Sequence, residues 1–361
     1  MRIALAAAAT LLALATAGRT APAPAVEVVV SGLQIPWAVA FAPDGRIFVT
    51  ERPGRIRIVR DGRLDPQPWA VLEVAHVGEG GLLGLALAPE FARSGALYVY
   101  HTYRDDGRLW NRVVRLVERD GRGQVDRVIL DRIPGAVVHD GGRILFGPDG
   151  RLYVTTGDAR QPALAQDRAS LAGKILRINP DGSVPADNPF PGSPVYSLGH
   201  RNPQGLAWHP QTRTMYAAEH GPSGDLGLCC RDEVNVIEAG GNYGWPEVSG
   251  RGGEPRFTDP IADSGPTDTW APSGIAVPAR GPWADSLLVA ALRGEHLRRL
   301  TLSGPRFARV TGQEVYFRGE LGRLRDVAEG PDGALYLLTN NTDGRGRPRP
   351  GDDRLLRVVF R

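Results

Sequence analysis

The sequence predicts an all-β fold, a six-bladed β-propeller with four-stranded antiparallel blades. Three observations carry that expectation. A turn-and-strand unit recurs along the chain. Glycine and proline are abundant, 46 and 30 among 361 residues. No long amphipathic helical pattern interrupts the strand-like runs.

The unit is clearest at residues 41–51 (FAPDGRIFVTE) and 146–156 (FGPDGRLYVTT). Looser copies stand at 88–100 (APEFARSGALYVY), 208–219 (WHPQTRTMYAAE) and 329–339 (EGPDGALYLLT). Proline fixes φ early in the turn, Asp-Gly reverses the chain, and a β-rich run follows. The prolines at 43, 89, 148 and 210 are separated by 46, 59 and 62 residues. Spacings of that order suit blades of several strands each. Residues 286–293 (SLLVAALR) read as a further blade strand without the turn signature. Residues 162–176 are the one stretch expected to hold a turn or so of helix. The length then suits six large blades.

The ends read differently. Arg2 precedes an apolar stretch, residues 3–17, that ends in the small-x-small triplet Ala15-Thr16-Ala17. Residues 1–17 are therefore expected to be a cleaved signal peptide, with an uncleaved anchor as the alternative. Residues 18–25 read as a linker and 26–361 as a single propeller domain. No other stretch is apolar for long enough to span a bilayer. A periplasmic or secreted protein is expected.

The net charge is only +3, with no basic block, which argues against nucleic-acid binding. The two cysteines, Cys229 and Cys230, are neighbours. A strained vicinal disulfide, two free thiols and an intermolecular bond all remain open. A thiolate metal site is disfavoured, because no second cysteine pair exists to complete it.

Several polar residues could converge where propeller loops meet. His139 stands in a glycine-rich loop, residues 135–143 (GAVVHDGGR), just before a blade strand. Imidazole there suits a general base, and a turn histidine bonded to backbone is the competing role. Asp158 follows the next strand and could orient that histidine or cap a turn. Arg201 and Asn202 could bind a planar acidic ligand or an oxyanion. Gly221 and Pro222 could turn backbone carbonyls toward a hard cation. His220 beside them is another candidate ligand. Asp232, Glu233 and the turn at 242–245 (NYGW) offer hard oxygen ligands of the kind calcium takes. Arg293, Arg323 and Arg325 come from distant segments. Arg323 and Arg325 alternate along an extended run, so both point to one side. Clustered guanidiniums favour a multi-carboxylate ligand, against a default of solvated surface arginines.

Together these segments resemble the pyrroloquinoline quinone (PQQ)-dependent glucose/sorbosone dehydrogenase family. The shorter bacterial members, the soluble aldose sugar dehydrogenases, are the nearer match. The resemblance runs from residues 33–41 (LQIPWAVAF) to 352–357 (DDRLLR). Its most specific pieces are 78–84 (GEGGLLG), 199–205 (GHRNPQG), 219–222 (EHGP), 232–235 (DEVN) and 240–246 (GGNYGWP). It implies a six-bladed propeller, in agreement with the repeat count. It further implies that His139 is the base removing the proton of a sugar's anomeric hydroxyl, with Asp158 supporting it. Arg201 and Asn202 would contact the quinone, and Arg293, Arg323 and Arg325 would hold the PQQ carboxylates. Gly221 and Pro222 would give carbonyls to the calcium that bridges to PQQ. Glu233 and the Tyr243 carbonyl would bind a second, structural calcium.

Three departures from the family pattern stand out. Glu79 occupies the position of a substrate-contacting glutamine, so it is an anionic acceptor that would disfavour nearby negative charge. Residues 223–231 (SGDLGLCCR) look like an insertion. Arg293 replaces a lysine. The expected activity is PQQ- and calcium-dependent oxidation of an aldose sugar to its lactone, with electrons passing to an unidentified acceptor. The rival expectations are a calcium-dependent propeller lactonase and a non-catalytic binding propeller. The first would show as lactone hydrolysis without PQQ; the second would be expected to lack the histidine or the arginines, and PQQ binding is what settles it.

Overall fold

A computed structural model describes residues 23–361. The expected signal peptide, and the expected linker up to residue 22, lie outside the described residues. Six antiparallel sheets make six blades, each built outward from an innermost strand. The innermost strands are Pro36–Phe41, Leu82–Leu87, Ile144–Phe146, Pro203–Trp208, Pro272–Ala276 and Leu324–Glu329, in blades 1 to 6. Blades 2 to 6 have four strands. Blade 1 adds a short fifth, Ala70–Val71, which pairs with its third strand Arg55–Arg60.

The repeat works as the sequence suggests. Gly45, Gly150 and Gly333 hold φ of +86°, +72° and +74°, the left-handed region that favours glycine. The aspartates before them accept backbone N–H bonds two residues on, from Arg46, Arg151 and Ala334, each at 3.1 Å. Each turn is thus closed by its own side chain. The strand Ser286–Ala291 is the second of blade 5, where the apolar run predicted a strand. Residues 162–176 hold a short 3-10 helix, Pro162–Ala165, before the strand Lys174–Ile178. Two further helical turns were not expected: Phe91–Ser94, which Gly95 ends at φ +57°, and the 3-10 turn Asp225–Gly227.

The ring closes without a covalent link. The strand Pro24–Val30 pairs with Leu355–Phe360 and forms the outer edge of blade 6. Pro24 and Ala25, inside the segment read as linker, are therefore part of the sheet. Pairing the two ends removes the edge that Leu355–Phe360 would otherwise expose.

Apolar residues fill the spaces between blades, as with Phe48 of blade 1 edge-on to Phe91 of blade 2 at 5.6 Å. The central channel is filled by polar groups instead. Arg143 pairs with Asp326 at 3.1 Å, donates Nε to the Gln204 carbonyl at 2.9 Å, and stacks on Trp37 at 4.3 Å. These groups come from blades 1, 4 and 6 and the entry to blade 3, and of them Gln204 also lines the cavity described below. Lys174, the only lysine, is fully buried. Its ammonium donates to the carbonyls of Leu164 (2.7 Å), Ala165 (3.0 Å) and Ala172 (2.7 Å). It thereby pins the loop that follows Asp158 to blade 3.

Deleting residues 23–30 should leave blade 6 with an open edge. The melting temperature is expected to fall by roughly 3–6 °C, the shift that a few kcal/mol produces in a chain of this size. An unchanged melting curve would show that closure is not carried by this strand.

Candidate active site

The loops entering the blades enclose a cavity of about 510 Å³ at one end of the channel. Glu79, His139, Arg201, Arg293, Arg323 and Arg325 all line it, from loops or strand starts of different blades. Asp158 lies directly behind His139. Asn202 lies behind Arg201. Gly221, Pro222, Glu233 and Tyr243 line a separate small void next door.

His139 is buried except where it meets the cavity. Its Nδ1 bonds Asp158 Oδ1 at 2.8 Å, which leaves Nε2 as the free ring nitrogen. Asp158 is fully buried and also accepts from the Arg160 N–H (2.8 Å) and Trp245 Nε1 (2.9 Å). With both carboxylate oxygens filled by donors, Asp158 sets the tautomer and plane of His139. The His139 backbone is left-handed, φ +68°, which an L-residue adopts at a cost of about 1–2 kcal/mol. Two close approaches hold it there. A Cβ on Gly157 would stand 1.9 Å from the His139 carbonyl oxygen, and one on Gly78 would stand 1.9 Å from that of Val137. Only glycine fits at either place.

Arg201 sits on the opposite wall. Its guanidinium stacks on Trp245 at 5.5 Å, donates Nη1 to the His220 carbonyl at 3.1 Å, and pairs through Nη2 with Asp225. Its Nε is buried without a partner. Asn202 Oδ1 accepts the Gly141 N–H, while its Nδ2 is also buried without a partner. Arg325 bonds Gln204 and Ser273, and its Nε is a third unpaired buried donor. Burial draws the Arg325 guanidinium down to about 9, a mark of a cation short of anions. Arg323 gives Nε and Nη2 to Asp343 at 3.0 and 2.8 Å. Seven arginines line the cavity, against four carboxylates: Glu79, Asp225, Glu295 and Asp343. The excess of three positive charges suits an anionic ligand with several carboxylates.

His220 also lines the cavity, with Nε2 buried and unpaired. Burial lowers its imidazole to about 3, so it is neutral at pH 7. Arg345, which the sequence did not single out, lines the rim and binds Glu79. Its only signal in the sequence was its place in an arginine-rich loop, which in this chain distinguishes nothing.

The neighbouring void is about 10 Å³, room for one water or one ion. Glu219 and Glu233 both face it. Burial, and then the charge of Glu219, push the Glu233 carboxyl well above the usual range. Glu219 is spent on His200 Nδ1 (2.9 Å), Asn235 Nδ2 (3.2 Å) and the Arg201 N–H (2.8 Å), so Glu233, Tyr243 and the Gly221-Pro222 pair are the oxygen-bearing residues of the void left for a hard cation. Neither the Gly221 nor the Pro222 carbonyl accepts a backbone hydrogen bond among the described residues. The donor set thus fits calcium, although no group of three or more His, Cys, Asp or Glu side chains assembles among the described residues. Asp232 is not free for a metal. It is spent on the backbone amides of Gly221 (2.9 Å), Trp270 (2.6 Å) and Ala271 (2.9 Å). Cys229 and Cys230 are bonded to each other in the inserted loop, which settles the three alternatives left by the sequence in favour of the vicinal disulfide.

The sequence profile of the Glucose / Sorbosone dehydrogenase family matches residues 33–357. The aldose sugar dehydrogenase YliI of Escherichia coli K12 is 34% identical, covering 92% of this chain and 95% of its own. Among solved structures, an oxidoreductase (glucose dehydrogenase) of Thermus thermophilus is 52% identical with a TM-score of 0.87, over 93% of this chain and all of the other. The PQQ-bound aldose sugar dehydrogenase of Streptomyces coelicolor is 41% identical with a TM-score of 0.83, over 94% of this chain and all of the other. The extent and order of these matches place the chain in the glucose/sorbosone dehydrogenase family.

Proposed function

We propose that this protein oxidises an aldose sugar at its anomeric carbon to the lactone, using PQQ and calcium. The observation that carries the reading is the pairing, across one cavity, of a carboxylate-oriented histidine with an arginine wall three positive charges in excess. A tricarboxylate cofactor matches that excess.

When bound, PQQ supplies a two-electron acceptor, and calcium polarises its quinone carbonyl. The chain's own residues do the rest. His139 Nε2 takes the hydroxyl proton of the sugar. Asp158 holds the ring in the tautomer that leaves Nε2 free, and it stabilises the imidazolium that forms. Arg201 and the spare Nδ2 donor of Asn202 stabilise negative charge growing on the opposite wall. Arg293, Arg323 and Arg325 hold the cofactor carboxylates. Glu79 accepts a sugar hydroxyl. Gly221 and Pro222 would give carbonyls to one calcium, and Glu233 with the Tyr243 carbonyl would hold a second, structural one; the void that all four line has room for one ion, so the first would sit toward the main cavity. The sugar's identity and the electron acceptor are left open. Residues 1–17 suggest export to the periplasm or beyond, and no helix among the described residues is long and apolar enough to cross a membrane.

Purified protein given PQQ and calcium should gain sugar-dependent dye reduction. His139→Ala should lower kcat by about 10²–10⁴-fold. No activity on any common aldose would overturn the reading, and lactone hydrolysis without PQQ would replace it with the hydrolase.

Calcium should also act on stability. Chelation is expected to lower the melting temperature by roughly 5–10 °C, the loss of a ligand present well above its Kd. The pH dependence has a definite sign. Glu233 binds its proton more tightly in the folded state, so the metal-free protein should lose stability as pH rises through the slightly acid and neutral range. Calcium, or Glu233→Gln, should remove that slope. A chelated protein with an unchanged melting curve at pH 5 and pH 8 would count against the carboxylate site.

A further inference from the structure

Glu79 and Arg345 form an ion pair that the proposed function leaves unexplained. They are 266 residues apart, and they meet across the mouth of the cavity. Glu79 comes from the loop entering blade 2. Arg345 comes from the loop that follows the second strand of blade 6. Glu79 Oε2 accepts the His139 backbone N–H at 3.2 Å, and Oε1 accepts from Arg345 Nη1 at 2.5 Å. Side-chain exposure is 17% for Glu79 and 54% for Arg345, so the guanidinium lies between the carboxylate and solvent. Asp343 anchors the Arg345 loop by accepting the N–H groups of Arg345 and Gly346, at 2.9 and 3.2 Å. Its other oxygen holds Arg323. One short loop therefore sets both a cavity arginine and the partner of Glu79.

A carboxylate this close to a histidine base creates an electrostatic problem. The base must be neutral to accept a proton, and an unbalanced anion beside it favours the protonated ring. His139 is faced by Asp158 on Nδ1, by Asp140 next in the chain, by Glu79, by Asp225 with its partner Arg201, and by His220 and Arg160. Burial raises Asp140 to about 6. His220 is neutral at pH 7. Asp225 is balanced by Arg201. Asp158 is the orienting partner. Asp140 is still mostly charged at pH 7 and is held by Asn111 Nδ2 and the Ala136 N–H, so Glu79 is the anion beside His139 whose balance depends on a salt bridge at the cavity mouth. Burial alone would raise its carboxyl, but His220, Arg345 and the His139 N–H bring it down to about 2. Arg52 and Arg325 act on Glu79 from farther off, and Arg345 is its only salt-bridge partner among the described residues.

We propose that Arg345 is a positioning residue for the reaction. It neutralises Glu79, holds that carboxylate on the His139 N–H, and so keeps His139 available as a neutral base. The proposal rests on the reading of His139 as the base. It also explains how a glutamate is tolerated at this position.

The test is a double-variant cycle of Arg345→Gln, Glu79→Gln and the two combined. Two readouts are needed: NMR titration of the His139 ring in cofactor-free protein, and the pH profile of kcat/KM in the loaded enzyme. Arg345→Gln should move the His139 midpoint and the acid limb of the profile upward by roughly half a pH unit. Arg345→Lys should restore most of the shift. In the Glu79→Gln background, Arg345→Gln should produce a clearly smaller shift, because only the direct effect of its charge remains once there is no carboxylate to hold in place. Equal shifts in both backgrounds, or none in either, would overturn the proposal. An active His139→Ala enzyme would instead overturn the base assignment, which keeps the two failures distinguishable.

Discussion

The Asp158 carboxylate is the constraint on which the site depends. It is fully buried, where an unpaired charge would cost several kcal/mol. Three donors from separate places satisfy it: His139 Nδ1, the Arg160 N–H and Trp245 Nε1. Each bond fixes a different wall of the cavity. The first aims His139. The second sets the left-handed turn at Arg160, φ +60°. The third places Trp245, on which Arg201 stacks. The Asp158 N–H also bonds the Arg201 carbonyl at 2.8 Å. Base and electrostatic wall are therefore held in one frame, and the distance between them is set by backbone as well as by side chains.

Around that frame the charges are partly self-compensated. Asp225 holds Arg201, Asp343 holds Arg323, and Arg345 balances Glu79. Buried unpaired donors remain on Arg201 and Arg325 in the cavity wall and on Asn202 behind it, as they do at places elsewhere such as Arg57 and Arg298. Unsatisfied buried donors are destabilising by about 1–3 kcal/mol each, and an anion bound in the cavity would complete those that face it. At the neighbouring void the sign is reversed: burial and the charge of Glu219 disfavour an ionised Glu233, which a bound cation would relieve.

Much of this was legible in the sequence, for identifiable reasons. The Pro-Asp-Gly turns fix blade spacing locally, through Asp44, Asp149 and Asp332 and the glycines after them, so the blade count could be read without tertiary information. His139, Arg201, Arg323 and Arg325 sit in glycine-bounded loops or at strand starts, and the propeller brings them together as expected. Contacts made only by the closed ring were not legible. Arg345 meets Glu79 across 266 residues, and nothing near Arg345 marks it among so many arginines. Asp232 looked like a metal ligand beside Glu233, yet its three backbone amides come from residues 221, 270 and 271, which only the fold assembles. The N-terminal strand was misjudged at Pro24 because the Ala-Pro composition there reads as linker, and only its partner strand Leu355–Phe360 makes it part of a sheet.

The most direct measurement is a crystal structure of the protein grown with PQQ and calcium. The cofactor carboxylates should lie on Arg293, Arg323 and Arg325, with calcium on the Gly221 and Pro222 carbonyls and the quinone between Arg201 and His139 Nε2. A cavity that stays empty at saturating PQQ, or PQQ bound with its carboxylates away from those arginines, would contradict the assignment of this site.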